Sequence, residues 1–222
     1  MALTVLSPSI RLRNLFDSYG VQINDASISV RIEFPATRVE QRDDRRNLVD
    51  KPRKTSLILG ADAQTLSWSH VLTDFPYLAG STSAVAEALK MATGSVPLKG
   101  HVFKISHHAS KHGVNLELVA RIDPLLTLIS SVADAGSYKF PHTVAQELIR
   151  EALEPTTTSG AAHKKDYELR ILYTCDTSGP RALGTVGVVL SRSGKRTVWR
   201  FQDEPGDEID IAAGRKMPTL ST

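Results

Sequence analysis

The sequence predicts an α/β layered protein. Short apolar runs of strand length alternate with segments of helical periodicity, residues 27–34 alternate strictly between apolar and polar side chains, and the composition is that of a globular chain. With 222 residues, 41% hydrophobic and 23% charged, the chain falls outside collagen-like, disordered and coiled-coil classes. Its length suits one large domain, or one domain with a small addition.

The elements follow in order. Residues 3–7 are a short apolar strand. Ser7 is placed to cap a helix whose first position is Pro8, where a missing N–H does no harm, and Ile10, Leu12, Leu15 and Phe16 recur at helical spacing. Asn24-Asp25 is a turn signal. Across residues 27–34, Ile28, Val30, Ile32 and Phe34 share one face, the mark of a half-buried strand. Residues 38–54 hold seven basic side chains, answered by Glu40, Asp43, Asp44 and Asp50. They read as a solvated loop between two strands, or as a contact for phosphate or an acidic partner. Residues 56–60 are a second strand, with Asp62 directly after it. Residues 64–75 are helical and stop at Pro76, and residues 83–91 form another helix. A strand over 101–106 empties into His107-His108-Ala109-Ser110. A helix over 116–122, an apolar strand over 125–129 and a Gly-containing loop over 133–140 lead to Pro141-His142. Thr143 caps a helix running to residue 153. Beyond it, residues 168–175, 185–191 and 196–201 are strand-like, with Ser193-Gly194 as a hairpin signal. The expected organisation is a domain over 1–155, a loop or linker over 156–165, C-terminal strands over 166–203 packing on the same domain, and a polar, mobile tail over 204–222.

Several function classes lose support. A net charge of +3 does not by itself indicate nucleic acid. No stretch approaches the roughly 20 apolar residues of a membrane span, so no membrane association is expected. Residues 1–9 lack a basic segment before a long apolar run, so no secretory signal is expected. Cys175 is the single cysteine; it forms no internal disulfide and fits a reducing, cytoplasmic setting. Any metal would have to be held by His, Asp and Glu. There is no Gly-rich phosphate loop and no Gly-x-Ser-x-Gly elbow for serine hydrolysis.

Asp62, the pair His107 and His108, and His142 all follow predicted strands, where α/β proteins place reactive groups. A carboxylate with imidazoles is a donor set for Zn, Mn or Fe, and a metal so held turns bound water into a nucleophile near neutral pH. Each residue also has a plain structural role open to it. Asp62 fits a helix cap, the histidine pair fits a solvated hydrogen-bonding turn, and His142 fits a turn before a helix.

Taken together, these pieces resemble the second half of a metallo-β-lactamase-fold hydrolase, of the branch similar to DNA-uptake competence proteins. The likeness is carried by Asn24-Asp25-Ala26-Ser27 and the alternating strand after it, and by Ser56-Leu57-Ile58-Leu59-Gly60-Ala61-Asp62-Ala63, with Ala61 inserted in a Gly-Asp strand end. It continues in Phe103-Lys104-Ile105-Ser106-His107-His108-Ala109-Ser110, in Ile122-Asp123-Pro124 with Leu128-Ile129-Ser130-Ser131, and in Phe140-Pro141-His142-Thr143-Val144. It runs from about residue 1 to 153. The resemblance implies Asp62 as a carboxylate bridging two metal ions, zinc or alternatively manganese, and one of His107 and His108 as an imidazole ligand. The other, with Ser110 or His142, would face substrate oxygens or move a proton.

The family's His-x-His-x-Asp-His signature has no counterpart, since no two of the seven histidines are spaced His-x-His. Two or three donors remain, whereas a hydrolytic zinc site takes three plus an open position. The implied fold is therefore an incomplete αββα sandwich with extra C-terminal strands. One half alone leaves an apolar sheet face bare, and burial of such surface stabilises by roughly 25 cal/mol per Å². A protein partner, a second copy or a missing segment is expected to cover that face and complete the site, unless the C-terminal strands cover part of it. The implied activity is metal-dependent hydrolysis of a phosphoester-type substrate, nucleic acid or nucleotide. The alternatives are a catalytically inactive interaction subunit of the same fold and, third, a nucleic-acid-binding domain using residues 38–54, which no aromatic residue interleaves.

Overall fold

The computed structural model describes residues 1–8, 12, 23–42, 48–74, 98–153, 170–177, 179, 183–190, 196–201 and 215–216. The strictly alternating segment builds the N-terminal half of a sheet. β1 (Ala2–Ser7) pairs antiparallel with β2 (Ser29–Arg42), and β2 with β3 (Leu48–Leu59). The pairs Leu3↔Ile32, Val5↔Val30, Val30↔Leu59 and Ile32↔Leu57 put Leu3, Val5, Val30, Ile32, Leu57 and Leu59 on one face, while Leu6 and Ile58 join the core on the other. From β3 onward the sheet is parallel: β4 (Val102–Lys104), β5 (Leu126–Ile129) and β6 (Ile171–Tyr173) follow, in the order β1-β2-β3-β4-β5-β6.

Parallel neighbours need crossovers, and the helical segments supply them. They are α1 (Thr65–Asp74), α2 (Leu116–Ile122) and α3 (Thr143–Leu153). Asn115 starts α2 by accepting the Leu118 N–H at 2.8 Å, and Asp123, in a left-handed conformation, ends it. In α3 the stripe Ala145, Ile149, Leu153, spaced by four, faces inward. All three helices lie on one sheet face. Trp68 and Val71 of α1, Leu118, Val119 and Ile122 of α2, and that α3 stripe share a core with Ile58, Phe103, Ile105, Ile129 and Ile171.

The alternate residues of the same strands form a second core on the other face. Val102, Leu126 and Leu172, with Leu57 and Leu128, pack against Val198, Val186, Val188 and Leu190. The latter belong to a second sheet of β7 (Thr185–Leu190), β8 (Arg196–Phe201) and β9 (Arg215–Lys216), all antiparallel. The C-terminal strands thus cover the β3–β6 part of the face. Leu3 and Val5 on β1, and Ile28 before β2, remain 59%, 52% and 64% exposed. The described residues form a mixed α/β protein of three layers: helices, a six-stranded mixed sheet and a three-stranded sheet. No helix among them is long and apolar enough to cross a membrane.

Four expectations are corrected. Within the stretch 38–54 expected as a loop, residues 38–42 and 48–54 are strand: β2 and β3 continue as a ribbon past a register shift between Phe34 and Thr37, pairing Arg38↔Pro52 through Arg42↔Leu48. Its sequence carries no one-sided apolar period to mark it. The strand expected over 101–106 ends at Lys104, because Ser106–Ala109 turn sharply. His142, not Thr143, caps α3: its Nδ1 accepts the Val144 N–H at 3.3 Å. The C-terminal tail contributes Arg215–Lys216 as a strand on β8, held by backbone pairing that two polar residues do not announce. The expected helix over 83–91, the linker over 156–165 and the Ser193-Gly194 turn lie outside the described residues, as does the first expected helix except Leu12, which is fully buried.

Candidate functional site

Because β3 to β6 are parallel, their C-terminal ends meet on one edge of the sheet, the edge at which open α/β sheets take ligands. The chain leaves β3 through Gly60-Ala61-Asp62, β4 through Ser106-His107-His108, and β5 through Ser130-Ser131. Hydrogen bonds stitch these exits together. The Gly60 N–H donates to the Lys104 carbonyl at 3.0 Å and the His107 N–H to the Ala61 carbonyl at 2.8 Å. The Ser131 N–H donates to Thr174 Oγ1 at 2.8 Å, while Ser131 Oγ accepts the Cys175 N–H at 3.0 Å. Gly60 has to be glycine here: a Cβ would lie 2.3 Å from Ser106 Oγ and 2.9 Å from Ser106 N.

The histidine turn is backbone-strained. His107, His108 and Ala109 have φ of 45°, 53° and 59°, a left-handed run without a glycine. The surroundings over-determine it. The Trp68 indole N–H donates to Ser106 Oγ at 2.9 Å, the Ser110 N–H closes on the His107 carbonyl at 2.8 Å, and the His142 N–H donates to the Ala109 carbonyl at 2.9 Å.

Asp62, His107 and His108 line one cavity of about 530 Å³. The two imidazoles differ in what they offer. The side-chain amides of Gln64 and Asn24 lie 3.2 Å from His107 Nδ1 and 3.5 Å from its Nε2. The facing atoms are Gln64 Nε2 and Asn24 Nδ2, and a neutral ring accepts at one nitrogen, so one of the two amides donates its N–H to it. His107 thus has an amide at each ring nitrogen. His108 Nδ1 faces the Ser130 carbonyl at 3.0 Å; a carbonyl only accepts, so Nδ1 carries the proton and the lone pair of the neutral ring is on Nε2. That is the state of a metal ligand or a general base. Of the pair the sequence leaves open, His108 is the one with a nitrogen to offer.

Burial pushes the His107 pKa below its ordinary value; the Asp62 charge opposes this, and His108 and His112 add to it. Burial likewise lowers the Lys104 pKa, against the opposing charge of Asp62. A lowered imidazole pKa means that the unfolded chain binds this proton more readily than the folded one. Stability should therefore fall as pH drops from about 6.5 toward the folded midpoint of His107. An NMR titration should give His107 a midpoint below about 6.5; a midpoint at or above that value contradicts the packing described.

The other two candidates stand apart. Ser110 is buried, its hydroxyl has no hydrogen-bond partner among the described residues, and it is not in the cavity wall. His142 is also outside the wall and spends its Nδ1 on the α3 cap. The far wall comes instead from the loop after β5. Phe140 stacks on His108 (centroids 6.4 Å, 5° between planes) and on Tyr138 (6.0 Å, 22°), and meets His107 edge-on at 5.2 Å. The sequence alone assigns no role to Tyr138, or to Phe140 beyond its place in the Phe140-Pro141-His142 segment. Two aromatics spaced by two in a Gly-containing loop beside the histidine motif were the available signal.

Among the described residues, no group of three or more His, Cys, Asp and Glu is placed to hold a metal ion. Asp62 and His108 offer two donors, short of the three that a hydrolytic zinc site takes. The described residues by themselves do not fit such a site. No protein-family model, curated protein or solved structure matches the chain.

Proposed function

We propose that this chain is one part of a metal-dependent hydrolase of phosphoester-type substrates, of metallo-β-lactamase-like fold. Asp62 and His108 supply two donors, and a second chain supplies the rest. What supports this reading is the cavity at the C-terminal edge of the parallel strands, lined both by Asp62 and by an imidazole whose Nδ1 is anchored and whose Nε2 carries the lone pair. The exposed apolar residues Leu3, Val5 and Ile28 give a second chain a surface to bury. His107, fixed by its two amide neighbours, orients the turn that presents His108.

A second reading is favoured by the two-donor count: a catalytically inactive interaction subunit of the same fold. Zinc titration by calorimetry separates the two. On the hydrolase reading, the chain copurified with its partner binds zinc and cleaves a bis-aryl phosphodiester, and Asp62→Ala and His108→Ala each weaken zinc binding by at least tenfold. Zinc binding unchanged by both substitutions leaves the interaction subunit. A monodisperse, zinc-loaded and active monomer overturns the shared site.

A further inference from the structure

The cavity is lined by polar groups, Asp62, Ser130 and Ser131 among them, and by aromatic rings that form a ladder. His108, Phe140 and Tyr138 stack in succession, with interplanar angles of 5° and 22°. Tyr138, the last rung, is 82% exposed, an unusual position for a large aromatic ring that is already aligned with two others. The rung is set by its loop. The Phe140 N–H donates to the Ala135 carbonyl at 2.8 Å and the Lys139 N–H to the Gly136 carbonyl at 3.2 Å, while Asp134 N is tied to the carbonyls of Asp176 and Gly179 at 3.3 and 3.2 Å. The wall is therefore fixed by backbone hydrogen bonds on both sides of Tyr138.

We propose that this ladder is a stacking wall for the planar base of a nucleotide, a proposal that deepens the phosphoester reading by naming the group attached to the ester. Three observations favour a base over a plain apolar ring. The open rung continues an offset stack, the geometry by which aromatic side chains take bases. Ser137 and Ser130 line the same cavity and offer hydroxyl groups that a heterocycle's edge can use and a plain apolar ring cannot. A volume of about 530 Å³ lies within the range of small-molecule sites, and Tyr138, Asp62 and His108 line the same cavity, so one ligand can meet both the wall and the carboxylate.

The test uses the full chain in the presence of EDTA, which keeps it independent of any metal. Adenosine is titrated by calorimetry, with ribose and phenol as comparisons. Adenosine should bind, ribose should not, and phenol should bind more weakly. Tyr138→Ala should weaken adenosine about tenfold, as loss of one stacking contact does, while Tyr138→Trp should hold or strengthen it. No adenosine binding, equal binding of ribose or phenol, or adenosine binding unchanged in Tyr138→Ala overturns the proposal. Failure of the zinc titration leaves this result standing, and failure here leaves the zinc titration standing.

Discussion

Trp68→Ala is expected to lower the unfolding free energy by about 3–5 kcal/mol, the cost of emptying a fully buried aromatic site. Trp68 is fully buried in the helix-side core, edge-on to Phe103 with centroids 6.1 Å apart, and its indole N–H donates to Ser106 Oγ at 2.9 Å. The substitution removes both the ring and the donor that holds the residue before the histidine turn. Trp68→Phe separates the two effects: it keeps most of the apolar volume and loses the hydrogen bond, with an expected cost of about 1–3 kcal/mol for a buried polar atom left unpaired. Urea denaturation measures both. A change below about 1 kcal/mol in Trp68→Ala contradicts the core described.

Gly60→Ala is expected to destabilise by about 1–3 kcal/mol through overpacking, and to disturb the site more than its size suggests. The added methyl would lie 2.3 Å from Ser106 Oγ, 2.9 Å from Ser106 N and 3.0 Å from the Lys104 carbonyl. Two of those three atoms are backbone and give way only if the β3 and β4 exits separate. Ser106 opens the turn that carries His107 and His108, so the His107 titration should move in this variant together with the denaturation midpoint. Combining it with Ser106→Ala removes the closest clash and leaves the two backbone ones, so recovery should be partial. A Gly60→Ala protein with parental stability and an unmoved His107 resonance contradicts this close approach.

The parts of the fold legible in the sequence are those with an unbroken apolar period. The alternation at Val30, Ile32 and Phe34, all half-buried, marks β2, and the Leu118, Val119, Ile122 and Ala145, Ile149, Leu153 patterns mark two helices packed against a sheet. The ribbon beyond Phe34 was illegible because charged residues occur at successive positions and no face is apolar. β9 was illegible because a strand of two polar residues is specified by its neighbour's backbone, not its own side chains. At the site, Asp62 and the histidine pair were legible as groups following strands, and parallel pairing brings those strand ends together. The difference between His107 and His108 was not, because it depends on Gln64, Asn24 and Ser130, which approach from three other segments. For His142 the sequence leaves a ligand role and a turn role before a helix both open, and only the fold shows its Nδ1 capping Val144.

The spatial order of the large sheet, β1-β2-β3-β4-β5-β6, is also its chronological order of synthesis. A nascent chain leaving the ribosome can lay each new strand against a margin already formed, and none has to wait for a later segment to be inserted between two earlier ones. Assembly can therefore proceed in one direction, with the catalytic-looking rim growing as the sheet widens and the small C-terminal sheet closing over hydrophobic surface last.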